Sequence, residues 1–353
     1  MNWKNLKIGA KLAIGFGLLI LISMILGGLS VYNMSNVSKK STYLSEEYVP
    51  EVNLVTSLER DARQAMYNMR GYSLSEDEKY LNEGRNNLSD VENSISQAHR
   101  LAEETTQLTK LNGEINDIEG NVNEYKNLVD KTVNLNSGLK EDRDKMDVAA
   151  ANFMEACYNY LESQNRQLNE EINNNASAEA FRERHDKITW INDIIDAGNT
   201  IRVANFKYQA KRDPEAFRKA LNDFDISATL SKISEVTYLE ADKEALDQIK
   251  TSAENYTQAM NEYIDRWENR NEINVQRDKV ASNVLQSAQA VTKAGITKTS
   301  KIADEAVQLL SESSNVMVGG LIFALILGVI LAVLITRTIT GGIKRTSSFF
   351  VSL

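Results

Sequence analysis

Arginines are the residues of this chain whose type and spacing suggest binding chemistry. Arg60 and Arg63 lie three positions apart, which places both on one face of a helix. Arg277 falls at a heptad seam position in a later segment. A guanidinium offers a planar fork of donors that matches the two oxygens of a carboxylate. The sequence therefore predicts that these three side chains converge inside a helical bundle and bind a small organic acid.

Arg202 indicates a second, smaller anion site. Tyr208 follows Arg202 on the same predicted helix, and Tyr256 on another helix would form an aromatic wall. A single arginine suits a smaller acid than three arginines do. Beside Arg277, Asn274 is a further candidate ligand-binding residue, because the same seam turns it inward.

Polar residues interrupt the two predicted seams, and they place the ligand site in the core. An unpaired buried charge is very costly, so an inward arginine needs an anion or must leave the core. Alternatives stay open. A stutter would rotate these residues outward, Arg60 and Arg63 would pair with Glu59 and Asp61 on a solvated face, and Arg202 would be an ordinary surface residue. The polar residues at seam positions are Thr132, Asn136, Arg143, Arg270, Asn274 and Arg277.

Catalytic chemistry finds no support in the sequence. Cys157 is the only cysteine, and His99 and His185 are the only histidines. No nucleophile–base pair, metal-ligand spacing or phosphate-binding loop accompanies them. We therefore expect neither an enzyme nor a cofactor or metal, and no intramolecular disulfide.

The acidic residues are confined to the middle of the chain, since all 49 lie between Glu46 and Glu312. The whole chain has a formal net charge of -9. The basic stripe that nucleic-acid binding requires is missing. Any anion would be held by local cations against an acidic background.

Two uncharged apolar runs, residues 12–31 and 316–335, enclose this acidic segment. Each is long enough to cross a bilayer at ~1.5 Å rise per residue. Cationic flanks stay in the cytoplasm, so residues 1–11 and 336–353 are predicted inside and residues 32–315 outside. A cleaved signal peptide remains an alternative for the first run, although its apolar core is usually only ~7–15 residues. The flanking cations are Lys4, Lys7, Lys11, Arg337, Lys344 and Arg345.

Helical periodicity covers most of the outer segment, and the chain has only two prolines. The predicted fold class is all-α. Six outer helices are expected, with a break at Pro50 and N-caps at Ser75, Ser177 and Asp213. The first continues from the apolar run to about residue 72, and the others span about 76–103, 106–173, 178–211, 214–236 and 240–313.

The long third and sixth predicted helices carry the same 3,4 seam, in which Leu108 matches Leu246 and Tyr125 matches Tyr263. The outer segment is therefore predicted to be a duplicated three-helix unit. A generic coiled coil would share such a seam, so this alternative stays open. Short connections predict two stacked four-helix bundles, a lower module of about 32–135 plus 275–315 and an upper module of about 136–274.

This layout resembles the bacterial methyl-accepting chemotaxis receptors that carry a helical bimodular sensor domain. The segment Arg60-Asp-Ala-Arg63 resembles the paired arginines on the first sensor helix of dicarboxylate-sensing members. Ile201-Arg202-Val203 with Tyr208 resembles their second arginine segment. Gln276-Arg277-Asp278 is the best match to the arginine of the last helix, with a small gap in spacing.

The resemblance covers nearly the whole chain and implies a chemotaxis transducer of the cell inner membrane with its sensor domain in the periplasm. It implies a C4 dicarboxylate in the lower module, an acetate-like acid in the upper one, a homodimer, and a cytoplasmic kinase and adaptor reached through residues beyond 353. Residues 336–353 resemble the start of a HAMP domain, although Gly341-Gly342 replaces the usual proline. A sensor histidine kinase and a ligand-free rod that docks partners remain alternative functions.

Overall fold

The computed structural model describes residues 7–211 and 213–351, and the side chains of residues 7–211 and 213–341. Lys4, one of the cations expected to flank the first apolar run, lies outside the described residues. Lys344 and Arg345 lie on the last helix, beyond the part whose side chains are described.

Helices account for nearly all of the described chain, and no strand occurs in that part, which confirms the all-α fold class. A π-helical turn, Leu44–Tyr48, separates the first two helices. In chain order the α-helices are α1 (Ile8–Tyr43), α2 (Val49–Ser75), α3 (Glu78–Glu104), α4 (Leu111–Asn173), α5 (Ala178–Lys211), α6 (Pro214–Asp223), α7 (Ser227–Glu235) and α8 (Glu240–Val351).

Two of the predicted N-caps are confirmed. The Ser177 hydroxyl accepts a hydrogen bond from the amide of Ala180 at 3.2 Å and begins α5. The Asp213 carboxylate accepts from the amide of Ala216 at 3.1 Å and begins α6. Each cap satisfies an amide that has no partner within the first helical turn.

The predicted cap at Ser75 is wrong as a helix start, because Ser75 is the last residue of α2, although its hydroxyl accepts a hydrogen bond from the Asp77 amide at 3.2 Å. The Ser75 hydroxyl donates to the Gly71 carbonyl within α2 at 2.8 Å. Asp77 caps α3 instead, and its carboxylate accepts from the amide of Lys79 at 2.9 Å. The turn between the two helices is therefore shorter than the sequence indicated.

Two predicted helices are shorter than expected, because side chains bond backbone amides outside the helical ladder. The expected fifth helix is divided into α6 and α7 where the Asp225 carboxylate accepts from both the amide and the hydroxyl of Ser227. The helix expected from about residue 106 begins at Leu111, and the Gln107 amide donates to the Glu47 carboxylate at 2.9 Å.

The predicted break at Pro50 takes the form of the π-helical turn that precedes it. Pro50 has no amide hydrogen, and its ring crowds the carbonyl of the residue four positions earlier. The helix widens over Leu44–Tyr48, where the Val49 amide donates to the Leu44 carbonyl. Such a turn accommodates one extra residue in an otherwise continuous helix.

The chain divides into two compact units. Unit 1 comprises Met1–Ala65, Arg85–Gly120 and Asn283–Leu353, and unit 2 comprises Met66–Gly84 and Asn121–Ser282. Residues 66–84, which the sequence assigned to the lower module, pack with residues 121–282 in unit 2.

Each unit has an apolar core built from the predicted seams. Residues at the matched seam positions of α4 and α8 are buried, including Leu111 with Ile249 and Tyr125 with Tyr263. The duplication itself stays a prediction. Core residues of unit 1 include Val55, Leu58, Val91, Ile95, Ile115, Ile118, Val284, Ala288 and Val291, and those of unit 2 include Phe153, Tyr160, Ile191, Phe217, Tyr256 and Met260.

Two stretches, one in the helical segment Ile8–Ser75 and one in α8, are long and apolar enough to cross a membrane. Almost all residues of these two apolar stretches are exposed, whereas the core helix of a soluble protein is mostly buried. Within unit 1 they approach each other closely at Gly15, where an added Cβ would lie 3.6 Å from Leu331 and 3.7 Å from Ile335. Small residues at such contacts are typical of membrane helices.

We predict opposite effects for alanine at two helical glycines. A Cβ on Gly198 would lie 2.5 Å from the Phe153 ring in the core of unit 2, so Gly198→Ala should destabilise by about 1–3 kcal/mol through overpacking. Gly120 has open space around its Cα, so Gly120→Ala should stabilise α4 by about 0.5–1 kcal/mol. Thermal unfolding of both variants measures these effects. Equal changes in the two melting temperatures would contradict this packing around Gly198.

Candidate functional site

Arg277, on α8, is only 1% exposed in the core of unit 2, which confirms its predicted inward position. A terminal nitrogen donates to the Thr132 hydroxyl of α4 at 3.2 Å, and Nε has no partner among the described residues. Burial lowers the pKa of Arg277, and Arg70 lowers it further, whereas Tyr125 and Asp278 raise it. This guanidinium retains hydrogen-bonding capacity that an anion could use.

Arg70 is a second cation of this region, and sequence reasoning missed it. It lies on α2, and its Nε donates to the Asp278 carboxylate at 3.1 Å while the side chain stays largely exposed. A signal was available, because Arg70 lies as many residues beyond the first apolar run as Arg277 lies before the second. Equal rise along a helix would favour this pairing.

Glu76 joins two further arginines of unit 2. Its carboxylate accepts hydrogen bonds from Arg143 of α4 and from Arg270 of α8, the latter at 3.4 Å. Glu76 lies between α2 and α3 with φ of 58°, a left-handed conformation that costs a non-glycine residue about 1–2 kcal/mol. The two ion pairs therefore hold a strained residue in place.

Arg270 is buried to 7% exposure and also donates to the Asn136 side-chain oxygen at 3.4 Å. Its guanidinium carbon lies 5.9 Å from the centre of the Trp267 ring. The Ser73 hydroxyl lies 3.3 Å from the side-chain oxygen of Asn274, which is half-buried. Polar side chains thus interrupt the apolar core of unit 2. We call this set the polar layer; it consists of Ser73, Glu76, Thr132, Asn136, Arg143, Arg270, Asn274 and Arg277.

Arg60 and Arg63 do not face the core of unit 1, so their expected inward orientation is wrong. The Arg60 side chain is 72% exposed and bonds Asp61 at 2.9 Å, and Arg63 bonds Glu59 at 2.6 Å. The structure therefore does not bring them into the polar layer with Arg277. The reason is the register of α2, whose core-facing residues here are Val55, Leu58, Ala62 and Ala65.

The predicted residues around Arg202 are brought together only in part. Arg202 is exposed on α5, and its charge acts on the buried Tyr256. The pKa of Tyr256 is raised to about 12, chiefly by burial, and the positive charge of Arg202 opposes this rise. Tyr208 is buried on another face of α5, since six residues correspond to about two-thirds of a turn beyond one full turn. Its ring stacks on Phe217 at 5.0 Å and meets Trp267 edge-on at 5.4 Å.

Residues 5–186 match the family model for a four helix bundle sensory module for signal transduction. The match spans just over half of the chain. The chain belongs to this family. Its sensory module is of the chemoreceptor type, and its two membrane-length apolar helices fit a membrane receptor. A comparison with curated proteins found no match.

The matched segment of the sensory module contains part of the polar layer. Glu76, Thr132 and Asn136 lie within it, whereas Arg270 and Arg277 lie on α8 beyond its end. The two buried arginines of the polar layer therefore come from a helix outside the segment that the family model matches.

We predict opposite stability effects for two changes in the polar layer. Glu76→Gln removes the carboxylate between Arg143 and Arg270 and should destabilise by about 1.5–3 kcal/mol. Arg277→Met keeps the apolar volume and removes a buried charge, so its effect should lie between neutral and a gain of about 4 kcal/mol. Denaturant unfolding of both variants gives the comparison. An equal loss for Arg277→Met would mean that the guanidinium is already compensated within the core.

Proposed function

We propose that the chain is the membrane-anchored sensor of a chemoreceptor and binds a small carboxylate anion at the polar layer of unit 2. Arg277 is the anchoring residue, and Thr132 and Asn274 are its polar neighbours in the layer. The role of the chain is to bind and to transmit a signal, without catalysis. The single observation that carries the proposal is the near-complete burial of Arg277, whose Nε is left without a partner.

The chemical argument rests on charge compensation. A buried guanidinium costs free energy unless hydrogen bonds and an opposite charge offset its lost hydration. Arg270 meets Glu76 in this way, but Arg277 meets a neutral hydroxyl. A carboxylate supplies both the missing acceptors and the missing charge, and guanidinium–carboxylate pairing is bidentate. An amide or sugar would supply acceptors without the charge.

Arg70 and Asp278 provide a route by which the anion reaches Arg277. Their ion pair is largely exposed and lies beside Arg277, since both charges act on its pKa. Exposed ion pairs contribute only about 0–1 kcal/mol, so an entering carboxylate can replace Asp278 on Arg70 at little cost. Two guanidiniums would then bind the two ends of a C4 dicarboxylate, whereas a monocarboxylate would use one.

The wider arrangement follows the chemoreceptor resemblance and belongs to the same proposal. Residues 32–315 lie in the periplasm as a helical bimodular sensor, and the chain works as a homodimer in the inner membrane. Residues 336–353 begin a HAMP domain that leads to a cytoplasmic chemotaxis kinase and adaptor. The close approach of Leu331 and Ile335 to the backbone at Gly15 supports retention of the first apolar helix as an anchor. An acetate-like acid near Arg202 and Tyr256 is a second, smaller site.

A ligand-free rod predicts that every one of these arginines faces solvent or pairs with a carboxylate. Arg60 and Arg63 agree with that function, since both are exposed and ion-paired. Arg277 does not, because it is buried and its partner is a hydroxyl. The anion-binding function is therefore the better supported of the two.

Calorimetric titration of the full chain in lipid nanodiscs tests the proposal with succinate, malate and acetate, and with succinamide as the uncharged analogue. We expect heat from at least one acid and none from succinamide. Arg277→Gln should weaken acid binding by roughly 10- to 100-fold, because a charge-assisted hydrogen bond contributes about 1.5–3 kcal/mol.

Arg60→Gln is the matched control, since it removes the same charge from an exposed position outside the polar layer. Its affinity should equal that of the unchanged chain. An absence of heat with all three acids, or equal weakening by the control, would overturn the anion site.

A further inference from the structure

Glu51 is a buried acid of unit 1 that the anion site does not involve. It follows the π-helical turn by three residues and is only 7% exposed. One of its carboxylate oxygens has no hydrogen-bond partner among the described residues. A buried carboxylate is costly when it is ionised and unpaired, and much less so when it carries a proton.

The surface of α8 that Glu51 contacts also contains polar atoms without hydrogen-bond partners. A Cβ on Gly295 would lie 3.4 Å from the Glu51 carboxylate, so the acid packs directly against this helix. Thr292 and Thr299 lie three positions before and four positions after Gly295, hence on the same helical face. The hydroxyl oxygens of both are buried without a hydrogen-bond partner.

The charged residues around Glu51 have opposite effects on its pKa. Burial raises its pKa to about 7, Glu114 on α4 raises it, and Lys298 on α8 lowers it. Glu47 and Tyr48 lie on the preceding turn, where the Glu47 carboxylate is bonded by the Gln107 amide. Tyr48 has its own pKa raised by burial, by Glu47 and by Glu51. Lys298 is exposed and forms no ion pair with Glu51 in the described chain.

We propose that Glu51 is a proton-binding site through which unit 1 responds to the pH of the surrounding medium. Protonated Glu51 is neutral and packs against the Thr292–Gly295–Thr299 face of α8. On loss of the proton, the carboxylate requires hydration or a closer approach of Lys298, which loosens the packing of α2 on α8. Because α8 continues into an apolar stretch of membrane length, this change acts on the element suited to carry a signal.

The sign of the pH dependence follows from the raised pKa. The folded chain retains this proton up to about pH 7, whereas the unfolded chain loses it near 4.5, the ordinary pKa of a glutamate. Glu51 therefore makes folding less favourable as pH rises through this window, and the penalty is complete above it. Glu51→Gln, which mimics the protonated form, should remove this dependence.

Infrared titration of the full chain in nanodiscs tests the site through the carbonyl stretch of a protonated carboxyl. We expect one such band to persist above the titration of ordinary carboxylates and to disappear with a midpoint near pH 7. Glu51→Gln should abolish the band. The matched control, Glu46→Gln, removes an exposed glutamate from the preceding turn and should retain it. Loss of all bands by about pH 5, or retention in Glu51→Gln, would overturn the proposal.

Two further variants test the site even where Glu51→Gln does not fold. Lys298→Gln removes the charge that favours ionised Glu51 and should raise the midpoint of the band. Glu114→Gln removes the charge that disfavours it and should lower the midpoint. Shifts in the same direction, or no shift in either variant, would contradict the assignment. Neither residue belongs to the polar layer, so these results are independent of whether an acid binds at Arg277.

Discussion

A positive charge inside an apolar helical seam is the constraint on which the rest of unit 2 depends. A guanidinium removed from water must regain its hydrogen bonds and its counter-charge from the protein, or remain available to something that supplies them. Arg270 is compensated by Glu76 and Asn136, and Glu76 makes this contact from a left-handed backbone conformation. Arg277 receives a single neutral acceptor from Thr132. The two arginines occupy one helix but differ in how far their charge is satisfied.

Signal transmission requires that a bound species favour one arrangement of helices over another. Both sites proposed above change charge at a place where α8 packs on another helix. At Arg277 an anion would neutralise a cation between α4 and α8, and at Glu51 a proton would neutralise an anion between α2 and α8. In each case the uncompensated state leaves buried polar atoms without partners. A buried polar atom without a partner costs free energy, and a change in helix packing that pairs or hydrates it recovers that cost. A core whose polar atoms are all hydrogen-bonded offers no such gain.

The sequence predicted those parts of the fold that depend on local pattern. Apolar periodicity correctly indicated an all-α chain, and short-range caps at Ser177 and Asp213 set helix starts that the structure confirms. The heptad register also placed Arg270 and Arg277 in the core. The three-residue spacing correctly put Arg60 and Arg63 on one face of a helix, but that face is turned to solvent, where the carboxylates of Asp61 and Glu59 are their partners.

Contacts between residues distant in sequence could not be predicted from the local sequence pattern. Nothing in the residues around Glu76 shows that Arg143 and Arg270 would meet it, since both are distant in sequence. The burial of Glu51 was not predicted for the same reason. A glutamate is expected at the surface, and only its distant neighbours on α4 and α8 show that it is buried. Arg70 was missed although its position along the chain matched that of Arg277.

The π-helical turn at Leu44–Tyr48 changes how the segment must be compared with other helical sequences. An α-helix that absorbs one extra residue keeps its flanking faces aligned in space while their numbering slips by one. A helical wheel drawn straight through this turn would misplace every side chain on one side of it by about 100°. Relatives with and without the extra residue can therefore present identical surfaces, and an alignment would recover the match only by opening a gap of one residue at this point.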